Sequence, residues 1–385
     1  MRRILIFSLV YYPRFIGGAE VAVKEITDRI SDTDIQFDMI TLRKHADAFE
    51  RVGNVNVYRV GMAWFGKNSK SSKLFPLSKL LFIPLAALKA VSLHRKEKYD
   101  AVWPIMASYG GFAAVLFRMI YPNAPMVLTV QEGDNFERRQ GIFRPFFKKI
   151  FTSATRIQVI SNYLADWARS FGATAPIEVI PNGVDCDRFV RPISPVRKSE
   201  LRAECGIVDT DLVLVTASRL VHKNAVDTII ATLALLPHNY KLLILGTGAD
   251  EDTLRNQTKL LKVEGRVIFK GFISHDLLPE YLQASDIFIR PSRTEGLGNS
   301  FLEAMAAGIP VIATPVGGIP DFLTDGQTGL FCEVDNPQSI AQKVEKLTKD
   351  KESREYIITN ARNMVQQKYD WDAVAGKMKG NFESL

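Results

Sequence analysis

Along most of the chain, short runs of apolar residues alternate with stretches whose apolar positions recur every three or four residues. That is the pattern of buried parallel strands separated by amphipathic helices, and it predicts an α/β fold. Strands are expected at residues 3–9, 37–41, 54–60, 101–104, 126–130, 156–160 and 178–180, and again at 212–217, 241–245, 267–270, 287–290, 311–314 and 329–331. These make two complete sets. Between them the turn Pro181-Asn182-Gly183 and the proline-containing stretch VRPISP read as a linker, so domains are expected at 1–192 and 193–368. In 369–385, Trp371, Val374 and Met378 fall at helical spacing, which predicts a last helix returning to the first domain.

Length and composition agree with two cores: 385 residues, 46% of them hydrophobic. The three cysteines, Cys186, Cys205 and Cys332, are odd in number and widely separated, which argues against a disulfide framework or a zinc site and for a reducing cytosol. MRRILIFSLVYYPR begins like a signal peptide but lacks a small-residue cleavage site, so it is read as a first buried strand. No run is expected to reach the roughly 18 to 20 apolar residues that span a bilayer, because Pro84 and Lys89 interrupt 80–93. The net charge of +7 is concentrated in the first half, in one region holding Lys67, Lys70, Lys73, Lys79, Lys89, Arg95, Lys96 and Lys98, and in another holding Arg138, Arg139, Arg144, Lys148 and Lys149. Such patches attract anionic partners. Nothing resembles a nucleic-acid recognition motif, so nucleic acid is not an expected partner.

The chemistry-bearing stretches follow strands. After the first, Gly17-Gly18 opens an amphipathic helix, and the free amides of such a junction bind anions. Alone, the pair is equally a structural turn. After 212–217 come Arg219 and Lys223, a bidentate and a mobile cation suited to a leaving diphosphate, or else two solvated loop cations. After 287–290 comes RTEGLGNSFLEAMAAG, in which Gly296 and Gly298 permit close approach to a ligand, Asn299 or Ser300 can start a helix, and Glu295 and Glu303 flank the turn. Two carboxylates on either side of a phosphate-binding helix start can accept hydrogen bonds from a diphosphate joined to two polyols, the shape of a nucleotide sugar. The loop Gly317-Gly318-Ile319-Pro320 follows the next strand. Each loop is ordinary by itself; their recurrence at successive strand ends is not.

Together, Gly17-Gly18, Ile180-Pro181-Asn182-Gly183-Val184-Asp185, Arg219 and Lys223, the Glu295–Glu303 block and Gly317-Gly318-Ile319-Pro320 resemble the retaining glycosyltransferases of the GT-B fold, family four, often called group 1 glycosyltransferases. The resemblance covers nearly the whole chain. It implies two Rossmann-like domains facing across a cleft, with the nucleotide-sugar donor held by the second and the acceptor by the first. Arg219 and Lys223 would stabilise the departing diphosphate, Glu295 would contact the transferred sugar beside Gly296, Leu297 and Gly298, and Glu303 would bind the ribose. Main-chain groups around Phe272 and Ile273 would meet the base, and Gly17 and Gly18 would close over the phosphates. No metal or other cofactor is required by this scheme, since cations and helix amides do that work.

One departure is notable. Where many relatives have a histidine after the strand at 126–130, this chain has Gln131, followed by Glu132, Gly133 and Asp134. Glutamine cannot shuttle a proton, so Glu132 or Asp134 would serve the acceptor, unless either is a loop cap. The acceptor is expected to be a lipid-linked or cell-envelope glycan, as in polysaccharide biosynthesis. The aromatic and cationic stretch 144–151 and the Lys67–Lys98 region suggest a cytoplasmic protein held peripherally on an anionic membrane surface. Other readings are a sugar-nucleotide epimerase, a pyridoxal-phosphate phosphorylase, or a non-catalytic nucleotide-sugar-binding partner subunit.

Overall fold

A computed structural model describes residues 1–13, 17–43, 47–61, 75–132, 141 and 144–385. Gly133 and Asp134, and the cations Lys67, Lys70, Lys73, Arg138 and Arg139, lie outside the described residues. The chain forms two compact units, Met1–Asn182 with Trp371–Leu385, and Gly183–Asp370.

The first unit runs β1 (Arg2–Phe7), α1 (Gly18–Arg29), β2 (Ile35–Leu42), β3 (Phe49–Val52), β4 (Val55–Val60), α2 (Phe75–Lys96), β5 (Ala101–Pro104), α3 (Gly111–Ile120), β6 (Val127–Val130), α4 (Arg144–Ser153), β7 (Arg156–Val159), α5 (Asn162–Ser170) and β8 (Ile177–Val179). One sheet has the order β3-β4-β2-β1-β5, and a second is β6-β7-β8. Parallel bridges Val102↔Met126 and Ile105↔Thr129 join them side by side. All strands pair in parallel except β3, which turns back from β4 through Gly53-Asn54. β3 has no counterpart among the expected strands, because its four residues are half-buried or exposed and lack an apolar run.

The second unit runs α6 (Cys186–Val190), α7 (Pro195–Glu204), β9 (Leu212–Ala217), α8 (Val226–Leu233), β10 (Tyr240–Leu245), α9 (Glu251–Leu260), β11 (Val267–Gly271), α10 (Leu278–Gln283), β12 (Ile287–Arg290), α11 (Asn299–Ala306), β13 (Val311–Ala313), β14 (Leu330–Phe331), α12 (Pro337–Lys349) and α13 (Lys351–Lys368). Its parallel sheet has the order β11-β10-β9-β12-β13-β14. The chain moves outward from β9 to β11, then returns to lay β12 on the other side of β9. Loops leaving β9 and β12 therefore diverge at the switch point where ligands bind in open α/β sheets. The domain limit expected at residue 192 falls inside this unit, since α6 packs on α11 and the Val184 N–H donates to Tyr369 O at 2.7 Å.

The final helix α14 (Trp371–Glu383) belongs to the first unit and packs on α1. Its Trp371, Val374, Met378 and Phe382 join Ile4, Phe37 and Trp103 in one core, with the Phe382 ring 4.9 Å from Trp103.

One expectation is corrected. Pro84 does not break the apolar stretch; α2 continues through it as one helix. Pro84 is exposed, so the main-chain bond it removes is lost on the side that water reaches. Residues 77–96 are consequently long and apolar enough to cross a bilayer by length and composition.

Candidate functional site

Three loops of the second unit leave the C-terminal ends of β9, β12 and β13, and polar side chains tie them together. The loop after β9 carries exposed Arg219 and half-buried Lys223, the latter in a single 3-10 turn, His222–Asn224. Asn224 is 2% exposed; its Nδ2 donates to the Arg219 carbonyl at 2.7 Å, and its Oδ1 accepts from the Arg290 guanidinium at 2.9 Å. Arg290 ends β12. Its Nη1 donates to Ser300 Oγ at 3.0 Å, and its Nη2 pairs with the Glu295 carboxylate. Arg290 and Glu295 are 8% and 7% exposed, and the guanidinium stacks on the Phe301 ring at 5.2 Å. A buried cation and anion in contact exchange lost hydration for mutual attraction, so neither is tolerated alone. A second tie is Arg293, whose N–H donates to the Lys223 carbonyl at 2.7 Å and whose guanidinium grips both Asp227 oxygens at 3.0 and 2.6 Å.

The turn between the two glutamates is built on its glycines. Gly298 has φ +92° and caps α11, and a Cβ there would lie 2.6 Å from the Phe301 ring. Gly317, at φ +57°, would set a Cβ 1.8 Å from the Glu295 carbonyl, to which Gly318 N–H donates at 3.2 Å. Glu295 Oε1 accepts from the Gly296 N–H at 3.1 Å, so each of its oxygens has a protein partner and keeps a further lone pair for a ligand. Leu297, 1% exposed, anchors the turn in the core.

Glu303 lies in the middle of α11 and is buried; its Oε1 is 3.0 Å from His275 Nε2. His275 follows β11 in the same loop as exposed Phe272 and half-buried Ile273, so the expected ribose carboxylate and the expected base-side loop meet through it. The Phe189 ring of α6 approaches His275 at 6.1 Å, and Arg188 pairs with Asp276 at 3.3 Å, fixing this loop from the other side.

In the first unit, Gly17 and Gly18 are exposed at the start of α1, where the Val21 N–H returns to Gly17 O at 3.0 Å. Gly17 has an extended backbone, φ −125°, that any residue adopts. Half-buried Gln131 accepts from Asn182 Nδ2 at 3.3 Å. Glu132 is 3% exposed; its Oε1 accepts from the Ala107 N–H at 2.6 Å and its Oε2 from the Gln131 N–H at 3.0 Å. That bonding is a loop cap on the turn where Met106 takes φ +69°. Asp134 lies outside the described residues. Among the described residues, no three His, Cys, Asp or Glu side chains gather to hold a metal ion.

Sequence reasoning assigned no role to Arg290, Asn224, Arg293 or His275. A single cation ending the otherwise apolar strand IFIR was the one signal available for Arg290.

The family model described as Glycosyl transferases group 1 matches residues 197–364, and that described as Glycosyltransferase Family 4 matches 16–188. The chain is 27% identical to an uncharacterized glycosyltransferase of Methanocaldococcus jannaschii, over 97% of this chain and 96% of that protein. It is 28% identical to a GDP-mannose-dependent alpha-(1-6)-phosphatidylinositol monomannoside mannosyltransferase of Mycobacterium tuberculosis, over 98% and 97% of the two chains. The crystal structure of Anabaena HepE in complex with UDP and glucose superposes with a TM-score of 0.82 at 22% identity, covering 100% of both chains, a likeness of fold. The chain belongs to the group 1 glycosyltransferases of family four, enzymes of the hexosyltransferase class on the GT-B fold.

Proposed function

We propose that the protein transfers a hexose from a nucleoside-diphosphate sugar to a hydroxyl of a lipid-linked or cell-envelope glycan, with retention of anomeric configuration and without a metal. The observation that carries this reading is the buried chain Asn224–Arg290–Glu295, which fixes the Arg219/Lys223 loop against the glycine turn and Glu295 at the sheet's switch point. In the reaction the bond from the anomeric carbon to the diphosphate oxygen breaks as the acceptor oxygen approaches on the same face. The departing phosphate oxygen takes the acceptor's proton. Negative charge grows on the diphosphate, and Arg219 with Lys223 stabilises it, helped by the N-terminal amides of α11. Glu295 orients a sugar hydroxyl and Glu303 the ribose diol; the Phe272–Ile273 main chain takes the base.

The relative named as a phosphatidylinositol monomannoside mannosyltransferase supports a lipid-linked acceptor, and the relatives' names favour transfer over epimerisation or a non-catalytic role. A cytoplasmic location, where the donor is made, goes with this reading. Thermal shift and donor hydrolysis across UDP- and GDP-linked hexoses, with Lys223→Ala and Glu303→Ala in parallel, test it. One donor should stabilise the native protein and lose its effect in both variants; a panel without any response would refute the donor site.

A further inference from the structure

Glu303 stands in the middle of α11 and is only 5% exposed. A carboxylate so placed has given up most of its water and needs a donor in exchange. His275 supplies one: its Nε2 lies 3.0 Å from Glu303 Oε1 and, because a carboxylate oxygen accepts, it is the imidazole nitrogen that carries the proton. The His275 side chain is itself 44% exposed, which puts it at the rim of the site rather than in the core.

The imidazole is held from several sides. It belongs to loop 272–277 between β11 and α10, where the Ser274 carbonyl accepts from the N–H groups of Leu277 and Leu278 at 3.1 and 3.0 Å. From α6 the Phe189 ring meets it edge-on, at 6.1 Å and 77°. Arg188, beside Phe189, pairs with Asp276 at 3.3 Å and with Asp185, the cap of its own helix, at 3.1 Å. Both α6 and α10 pack on α11, the helix that carries Glu303. The position of His275 is therefore built into the unit.

That position matters for a nucleotide. A glutamate side chain has three torsions, and it recognises a diol well only while they keep its two oxygens turned toward the hydroxyls. A donor on Oε1 fixes the plane of the carboxylate, and it leaves Oε2 and the second lone pair of Oε1 for a ligand.

We propose that His275 is the positioning residue for ribose recognition: by donating Nε2–H to Glu303 it holds that carboxylate for the 2′- and 3′-hydroxyls of the donor's nucleoside. It thereby sets how strongly the protein prefers a ribose diol to a sugar without one. This role rests on Glu303 binding the ribose, as proposed for the transferase. A pair that merely fastened loop 272–277 to α11 would support nucleotides with and without the diol alike.

Isothermal titration calorimetry of the full chain with UDP, GDP and ADP, and with their 2′,3′-dideoxy forms, separates the two roles. The native chain should bind one of the ribonucleotides at least about tenfold more tightly than its dideoxy form, the scale of a hydrogen bond to a carboxylate. His275→Phe keeps a ring against Phe189 but has no N–H to give. It should bind that ribonucleotide about tenfold more weakly and the dideoxy form as the native chain does. His275→Gln, whose amide N–H reaches about as far, should restore most of the preference, and Glu303→Ala should abolish it. Circular dichroism establishes that each variant is folded; should His275→Phe not fold, His275→Ala takes its place with the same expectation. If Glu303→Ala removes the preference while folded His275→Phe keeps it, or weakens both forms equally, the role of His275 is refuted and the ribose site stands. If the native chain binds the two forms alike, or binds no nucleotide, the assignment of Glu303 falls and the role of His275 with it.

Discussion

The guanidinium of Arg290, at the end of β12, is paired with the carboxylate of Glu295, five residues further on, and both are buried. Arg290 also holds Asn224, in a loop 66 residues away along the chain, so one side chain sets the positions of the Lys223 loop and of the turn after β12. Removing it should do more harm than any single contact suggests. Arg290→Leu leaves the Glu295 charge buried without its partner, an expected loss of about 3–5 kcal/mol in unfolding free energy. In a cycle with Glu295→Gln, the double variant should lose less than the sum of the singles, because the pair is removed together. Urea denaturation of the four proteins measures this, and strict additivity would mean the pair is not coupled.

Gly298→Ala and Gly317→Ala should act on the donor more than on the fold. The first puts a side chain at φ +92° against Phe301, and the second forces the Glu295 carbonyl to move. Strain of this kind is worth on the order of 1–3 kcal/mol each. Both variants should remain folded by circular dichroism yet lose most of the thermal stabilisation given by nucleotide sugar.

Glu132 accepts two main-chain N–H groups, an arrangement in which a proton acceptor would already be engaged. Glu132→Gln keeps an acceptor oxygen for one of those groups and should retain transfer within a few-fold. Glu132→Ala leaves a buried donor unpaired and should cost about 1–3 kcal/mol of stability. If the glutamine variant were instead inactive at native stability, Glu132 would be a proton-transfer group.

Burial pushes the thiols of Cys186 and Cys332 up to about 12. In the unfolded chain they ionise nearer 9. The native state therefore holds these protons where the unfolded state releases them, so stability is full below pH 9 and declines as pH rises from there toward 12. Thiol titration with a disulfide reagent near pH 8 should find both cysteines slow until denaturant is added, since the thiolate is the reactive form.

Much of the scaffold could be read from the chain because buried parallel strands are continuous apolar runs: LVLVTA and IFIR are β9 and β12 almost to the residue. Edge strand β3 escaped because a half-exposed hairpin arm needs no such run, although the Gly53-Asn54 turn beside it was a usable signal. The apolar stretch 80–93 reads as broken at Pro84 because a proline normally ends a helix, while here it sits on the solvent side of α2. The glutamates and glycines of the loop after β12 were legible as a local motif. Arg290, Asn224 and His275 were not, because their partners come from other loops and only the sheet order brings them together.

The central claim is that a nucleotide sugar binds at the ends of β9 and β12 and is activated there by Lys223. Release of nucleoside diphosphate from each of a panel of UDP- and GDP-hexoses, by the native chain and by Lys223→Ala, tests it most directly. One donor should be turned over by the native chain, with the variant slower by at least about a hundredfold, the scale set by losing one charge-stabilising group. Equal release by the two proteins from every donor, or release from none by the native chain, would contradict it.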